Sequence, residues 1–328
     1  MVCKIRERFM RKKKKVLVGR RFGYFTDTHF TQKMKSRKDD YLSALLSKMH
    51  ECFCWFDKMG CEFVLFGGDF FDKHREMNWD LIHAVRKLII EYNKKIYYIA
   101  GNHDELGYRV NSIHKSNLGF LDKILDGRLE FIENHLELDW IDLYACHANE
   151  NVIDISNNIK RNGKASVLVS HCLLSDDNKK GNIHINAIRN KEIDLVLSGD
   201  LHDGYDFQMN SGGIYCYNPG SLLRKSCVDK DREPKVACFS FEETMGIYLP
   251  IITEFIPQYN KDKGIFNQKE EIEINIQETS TTDYVKMFRE FKRESKNIFE
   301  VLKKIGKERK IEEKVINLIS EYENKINF

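Results

Sequence analysis

Phe63-Val64-Leu65-Phe66-Gly67-Gly68-Asp69-Phe70-Phe71-Asp72 is the stretch on which the reading of this chain turns. Its four apolar residues read as a short strand. The two glycines let the backbone bend sharply and come close to neighbouring groups, and carboxylates follow at once. The same grammar recurs on either side. Phe22 to Phe25 runs into Asp27-Thr28-His29, Ile96 to Ile99 into Gly101-Asn102-His103-Asp104, Ser166 to Ser170 into His171, and Leu195 to Ser198 into Gly199-Asp200-Leu201-His202. Between these runs lie helical patterns. Asp39 to Met59 carries Leu42, Leu45, Leu46, Met49, Phe53 and Phe56 at helical spacing, and Trp79 to Tyr92 is a second helix. Further strands are expected at Trp140 to Cys146, Gly213 to Tyr217 and Val236 to Phe241. Short apolar runs alternating with amphipathic stretches indicate an α/β layered fold.

In an open α/β sheet the loops at the carboxyl ends of strands converge on one crevice, so groups far apart in sequence share a site. Asp-x-His projects two ligands from a single extended turn. Oxygen and nitrogen donors of this kind suit Mn²⁺, Fe²⁺ or Zn²⁺ rather than thiolate-loving ions. Each fragment alone is weak evidence: Gly-Asn-His-Asp can be a simple turn, and a lone Ser-His is commonly a hydrogen-bonded core histidine. Five such fragments in order, each behind an apolar run, point to a metal site.

The series Asp27-x-His29, Gly68-Asp69-x-x-Asp72, Gly101-Asn102-His103-Asp104, His171 and Gly199-x-x-His202 resembles the calcineurin-like metallophosphoesterases. Gly67 to Asp72, Asn218-Pro219-Gly220-Ser221, Arg224 and Glu233-Pro234-Lys235-Val236 narrow the resemblance to the DNA-repair nuclease branch. That branch contains bacterial SbcD and the nuclease subunits of double-strand-break repair complexes, phage versions included. The resemblance covers residues 22–258. It implies a sandwich of two mixed β-sheets flanked by helices, with a small C-terminal strand-and-helix module at 265–328.

The resemblance also implies two divalent ions, Mn²⁺ first and Mg²⁺, Fe²⁺ or Zn²⁺ as alternatives. Asp27, His29, Asp69 and His202 would hold one; Asp69, Asn102, His171 and Asp200 the other, with Asp69 bridging. Such a pair binds a hydroxide, polarises a phosphodiester and stabilises its leaving oxygen. His103 would be the general acid rather than a ligand, and Asp104 would orient its imidazole. The expected activity is metal-dependent DNA exonuclease or endonuclease action in repair, recombination or replication. The enzyme would work as a homodimer on DNA with an SbcC-like ABC-type coiled-coil ATPase. The chain departs from the family once, at Asp200, where histidine is usual. An aspartate adds a negative charge if it ligates; in the other reading it does not, and water fills the gap.

Composition bounds these expectations. The chain has 328 residues, enough for one large domain with an appendage or for two domains. A mean hydropathy of -0.50, 31% charged residues and no long apolar run exclude a membrane-spanning protein. No Gly-x-x-x-x-Gly-Lys-Ser/Thr run exists, so no P-loop is expected. Residues 1–21 hold ten basic residues against Glu7, a net charge of +9 in a chain whose total is +3, leaving an anionic body with a cationic arm. This arm is read as a solvated tail, with phosphate contact as the rival reading. It lacks the apolar core of a secretory signal, so a cytoplasmic protein is expected, in the host cytoplasm for a phage version. Nine cysteines with no Cys-x-x-Cys suit buried free thiols. A polar boundary at Gln258 to Gly264 precedes an alternating stretch at 268–276 and a helical pattern from Tyr284 onward. That pattern would pack on the body or be offered to a partner. His74 reads as an exposed helix-start residue, with a substrate-facing side chain as its alternative, and His147 as structural, with a place facing the site as its alternative. Two rival functions stand beside the nuclease: a phosphoesterase for small substrates or phosphoproteins, and a non-catalytic scaffold of the same fold.

Overall fold

A run of four apolar residues has no polar face to give to water, so it is stable only where both faces of its sheet are covered. In the computed structural model Phe22–Phe25, Phe63–Phe66 and Leu195–Ser198 are buried along their whole length. The structure describes residues 15–16, 19–75, 78–105, 110–177, 183–225, 229–244, 246–258 and 265–266. In order these form β1 (Lys15–Val16), β2 (Phe22–Phe25), α1 (Tyr41–Lys58), β3 (Phe63–Phe66), α2 (Trp79–Tyr92), β4 (Lys95–Tyr98), α3 (Asn117–Ile124), β5 (Leu129–Phe131), β6 (His135–Glu137) and β7 (Ile141–Cys146). There follow α4 (Val152–Asn158), β8 (Ala165–Ser170), β9 (Leu174–Ser175), β10 (Ile183–His184), β11 (Leu195–Ser198), β12 (Tyr205–Met209), β13 (Tyr215–Asn218), β14 (Val236–Thr244) and β15 (Ile247–Phe255).

Two mixed sheets stack. One has the order β1-β14-β2-β3-β4-β5, with β15 on the far side of β14; the other has the order β12-β13-β11-β8-β7-β6. β2, β3, β4 and β5 are parallel to one another, as are β7, β8, β11 and β13. The inner faces meet in an aromatic core in which Phe22 stacks on Phe63 at 5.6 Å and on Phe239 at 5.5 Å, with Trp140 tilted against both Phe22 and Phe63. The outer face of the first sheet is covered by α1 and α2. Asp40 caps α1 by accepting from the Ser43 N–H, and Leu45, Met49, Cys52 and Phe56 form its buried stripe. Asn78 caps α2, which ends at Asn93 in the left-handed conformation.

The expected strand-and-helix order is borne out from Phe22 to the strand that begins at Val236, with ends shifted by up to three residues, the largest shift at β14, which runs on to Thr244. β5, β6, β9, β10, β12 and β15 lie outside the expected strands, as α3 and α4 lie outside the expected helices. Pro250 sits in the middle of β15, where it removes a backbone donor; it is tolerated because β15, among the described residues, pairs with β14 alone and forms an edge. His74 does not begin a helix: α2 starts at Trp79, and the His74 carbonyl accepts from the Asn117 N–H at 2.8 Å. In the basic arm, Lys15 and Val16 pair antiparallel with Glu243 and Glu242, so these two residues are sheet rather than tail. The rest of residues 1–18 lies outside the described residues, as do 259–264 of the expected boundary, the alternating stretch at 268–276 and the helical pattern from Tyr284. The chain divides into residues 1–266 and residues 267–328, the second wholly outside the described residues. Among the described residues no helix is long and apolar enough to cross a membrane. The described cysteines are free, and all but Cys54 are buried.

One core position is anomalous. Lys48, 1% exposed on the buried face of α1, donates from Nζ to the Leu222 carbonyl at 3.1 Å. Burial, then the nearby Arg37 and Arg224 guanidinium groups, pushes its pKa down to about 7. The unfolded chain therefore holds more protons than the folded one between about pH 7 and pH 10.5, and stability rises with pH across that window. Below it the full cost of the buried ammonium is felt. Replacing Lys48 by methionine is expected to flatten that rise and to stabilise the fold at pH 7 by on the order of 3 kcal/mol, after the lost bond to Leu222 is counted. Urea unfolding at pH 7 and pH 10 measures both effects; a less stable variant at pH 7 would show that the Leu222 contact outweighs the desolvation.

Candidate metal centre

The loops at the carboxyl ends of β2, β3, β4, β8 and β11 carry the residues singled out in the sequence, and the two sheets bring them together. The Nε2 atoms of His29 and His202 face each other at 3.1 Å. Asp27 Oδ1 lies 3.8 Å from the first and 3.5 Å from the second. Asp69 presents Oδ2 to His29 Nε2 at 3.6 Å and Oδ1 to His171 Nε2 at 3.5 Å. Asp200 Oδ1 is 3.9 Å from His171 Nε2, and the Asn102 amide lies 3.1 Å from both Asp69 oxygens. Donor triplets able to hold an ion are Asp27 with His29 and His202, Asp27 with Asp69 and His171, and His29 with Asp69 and His103. Asp27, His29, Asp69 and His171 form the buried floor, while the side chains of His202, Asp200 and His103 are 34%, 28% and 37% exposed and open it to solvent.

This donor set fits divalent ions. Atoms bound to one ion at about 2.1 Å lie roughly 3.0–3.5 Å from each other, close to the His29, His202, Asp27 and Asp69 separations given above. Asp27 Oδ1 is buried and takes no hydrogen bond, which a cation would remedy. The orientation of His171 is set by its other nitrogen: Nδ1–H donates to the Gly67 carbonyl at 2.7 Å, so Nε2 is the atom turned toward Asp69, protonated against that carboxylate until a cation takes the proton's place. Burial pushes His29 down to about 3, keeping it neutral and able to ligate. Burial would also lower His171, but Asp69, Asp27 and Asp200 outweigh it and raise its pKa well above the usual range. Burial would raise Asp69, yet His171, His29 and His103 hold it below the carboxylate range. The pocket carries an anionic field that calls for positive charge.

Holding these groups costs backbone strain. Asp27, His29, Asp69 and Asp200 take positive φ values of 53°, 45°, 59° and 70°. Asp, Asn and His visit this region more readily than other side chains, at roughly 1 kcal/mol or more each. Hydrogen bonds impose the conformation. Asp27 N–H donates to the Gly68 carbonyl and His29 N–H to the Asp69 carbonyl, both at 3.0 Å. The Asn218 to Ser221 turn staples the sheets together: Ser221 Oγ donates to the Asp27 carbonyl at 2.8 Å and Ser221 N–H to the His202 carbonyl at 3.0 Å.

Asp104 is not the orienting partner of His103. Its Oδ2 accepts from the Asp69 and Gly101 N–H groups at 2.8 and 3.0 Å, and its Oδ1 accepts from Phe70 N–H at 3.1 Å. It ties the β3 and β4 loops together, and its carboxylate is turned to backbone amides. The group facing the His103 imidazole is the Asp72 carbonyl, which accepts from Nδ1–H at 2.6 Å. His147 is structural: buried, stacked on Phe131, with Nδ1 accepting from Ala100 N–H and Nε2 donating to the Glu133 carbonyl. Sequence reasoning passed over the side chain of Asp72, 3.7 Å from His29 Nδ1, and Lys225, whose Nζ meets Asp72 at 2.7 Å. Asp72 closes the Gly68-Asp69-x-x-Asp72 pattern and could have been found there; Lys225 has no local signal.

A sequence profile described as calcineurin-like phosphoesterase matches residues 20–204, which span every one of these loops from Asp27 to His202. The chain belongs to the calcineurin-like phosphoesterase family. Among solved structures it is similar to a dimetal phosphatase from Danio rerio, at 10% identity and a TM-score of 0.48 over 74% of this chain and 99% of that one. It is also similar to the Termus thermophilus sulfate thiohydrolase SoxB in complex with glycerol, at 10% identity and a TM-score of 0.43 over 78% of this chain and 59% of that one. No curated protein is close enough in sequence to match. Family and donor set together make the protein a metal-dependent phosphoester hydrolase that uses divalent ions.

The tightness of the floor is testable at Gly101. A β-carbon there would overlap the Asp69 backbone nitrogen and Oδ1, and neither can retreat while Asp104 holds the loop. Gly101→Ala is expected to destabilise the fold by about 1–3 kcal/mol and to release metal. Thermal unfolding and metal analysis check this, and a variant with full metal content and unchanged stability would mean that the Asp69 loop is free to shift.

Proposed function

We propose that this protein is a two-metal DNA nuclease. Asp27, His29 and His202 hold one ion with Asp69, and Asp69, Asn102, His171 and Asp200 hold the other. When bound, the ions supply Lewis-acid polarisation of phosphoryl oxygens and activation of water. The observation that carries the reading is the placement of His103. Its backbone N–H donates to Asp69 Oδ1 at 2.8 Å, its Nδ1–H is anchored on the Asp72 carbonyl, and its Nε2 is left 4.0 Å from Asp69 Oδ2 at the open mouth of the site. An imidazole so held can pass a proton to a leaving 3′ oxygen without serving as a ligand. Exposed cations follow both floor loops, Lys33, Lys35 and Lys38 after His29, and Lys73 and Arg75 after Asp72, and they suit a polyanion. The Gly67 to Asp72 and Asn218 to Ser221 motifs support the same branch, and the homodimer, the SbcC-like ATPase partner, the cytoplasmic setting and the preference for Mn²⁺ belong to this proposal.

Incubation of the purified protein with end-labelled linear and hairpin duplexes, in Mn²⁺ or Mg²⁺, should yield cut products that chelation abolishes. Hydrolysis of a small phosphodiester dye with no cutting of either DNA would replace the nuclease by a small-substrate phosphoesterase. His103→Ala is expected to keep its metal content while turnover falls about 10²–10⁴-fold. Loss of the ions along with activity, read by mass spectrometry, would make His103 a ligand.

A further inference from the structure

Lys225 follows the Asn218 to Ser221 turn, and its backbone is fixed on both sides. Its N–H donates to Asp229 Oδ2 at 2.9 Å, and its carbonyl accepts from Ser36 Oγ. From this anchored position its side chain reaches Asp72 Oδ1, at 2.7 Å, on the side of that carboxylate turned toward His29. The pair is on the rim rather than in the core, with side chains 23% and 20% exposed. The ammonium meets a carboxylate oxygen that lies 3.7 Å from the His29 ring, so its charge stands next to the residues proposed as ligands. Asp72 needs a cation at this depth, and the same ammonium stands at the mouth of the site, where an anionic substrate would arrive.

The charge of the site gives one. Asp27, Asp69 and Asp200 would set three negative charges against the four positive charges of two divalent ions, leaving about one in excess, which an activated hydroxide takes up. Asp200 has already reduced that excess by one relative to a histidine. An unpaired Asp72 beside His29 would then turn the site net negative and repel phosphate. We propose that Lys225 is a substrate-binding residue, held at the mouth by Asp72, whose ammonium takes a non-bridging phosphate oxygen of the substrate chain on the His29 and His202 side. Asp72 is its positioning residue. An ammonium has three N–H groups, so Lys225 can keep its bond to Asp72 while it donates to phosphate. This assignment rests on the phosphodiesterase reading above.

The test compares wild type, Lys225→Met and Lys225→Arg as full-length, Mn²⁺-loaded proteins on a DNA duplex, with KM, kcat and metal content measured over a range of salt. Lys225→Met is expected to raise KM about tenfold or more, with kcat within about threefold and both ions retained. The slope of log KM against log salt should become shallower by about 0.9, the signature of one lost phosphate contact. Lys225→Arg should restore most of the affinity and the slope. Unchanged KM and slope in Lys225→Met would overturn the assignment and leave the nuclease reading standing. Loss of metal in Lys225→Met would overturn it equally, because Lys225 would then act by supporting the ligands. A wild type that cuts no phosphodiester would take both readings down together.

Discussion

Asp69 is the group on which the site depends. Its carboxylate is 2% exposed, close to the imidazoles of His29 and His171 and to the amide of Asn102, and it accepts the backbone N–H of His103. A buried carboxylate is costly unless positive charge or hydrogen bonds answer it. Here the answer comes from both sheets at once, since β3 supplies Asp69, β2 His29, β4 Asn102 and β8 His171. Separating the sheets would take His171 away from that charge, so the aromatic core between them and the polar cluster at their ends stabilise the same juncture.

The supports around Asp69 divide the work. Asp104 gathers the amides of Gly101, Asp69 and Phe70, and burial together with the nearby Asp69 charge raises its own pKa to about 8. Ser221 joins the loop that carries Asp27 to the one that carries His202. Four acidic or histidine side chains are held at positive φ, a conformation that tertiary hydrogen bonds impose against local preference. The floor is rigid, whereas His103, His202 and Asp200 remain accessible. A phosphoester hydrolase needs that combination: ligands held in place beneath a face that a phosphate can reach.

The parts legible in the sequence were those written locally. β2, β3, β4, β8 and β11 are short apolar runs, α1 and α2 have stripes at helical spacing, and every residue proposed here as a ligand follows one of those strands within a few positions. Convergence of strand ends within a sheet gathers Asp27, His29, Asp69 and Asn102 on one side and His171, Asp200 and His202 on the other; the stacking of the two sheets joins the groups. β6, with His-Leu-Glu, and β15, with a central proline, carry no such pattern, because an edge position does not demand one.

Tertiary structure alone decided the rest. The family resemblance implied that Asp104 orients His103; the fold turns its carboxylate to backbone amides, those of another loop among them, and gives the His103 imidazole to the Asp72 carbonyl instead. Lys225 meets Asp72, and Lys48 meets Leu222, across separations at which sequence periodicity carries no information. The physical reason is the range of the forces involved. Alternation of apolar and polar residues acts on the nearest turns of backbone, so it is visible in the string of residues. Which charge neutralises which depends on distances of a few ångströms between loops that only the packed sheets bring together.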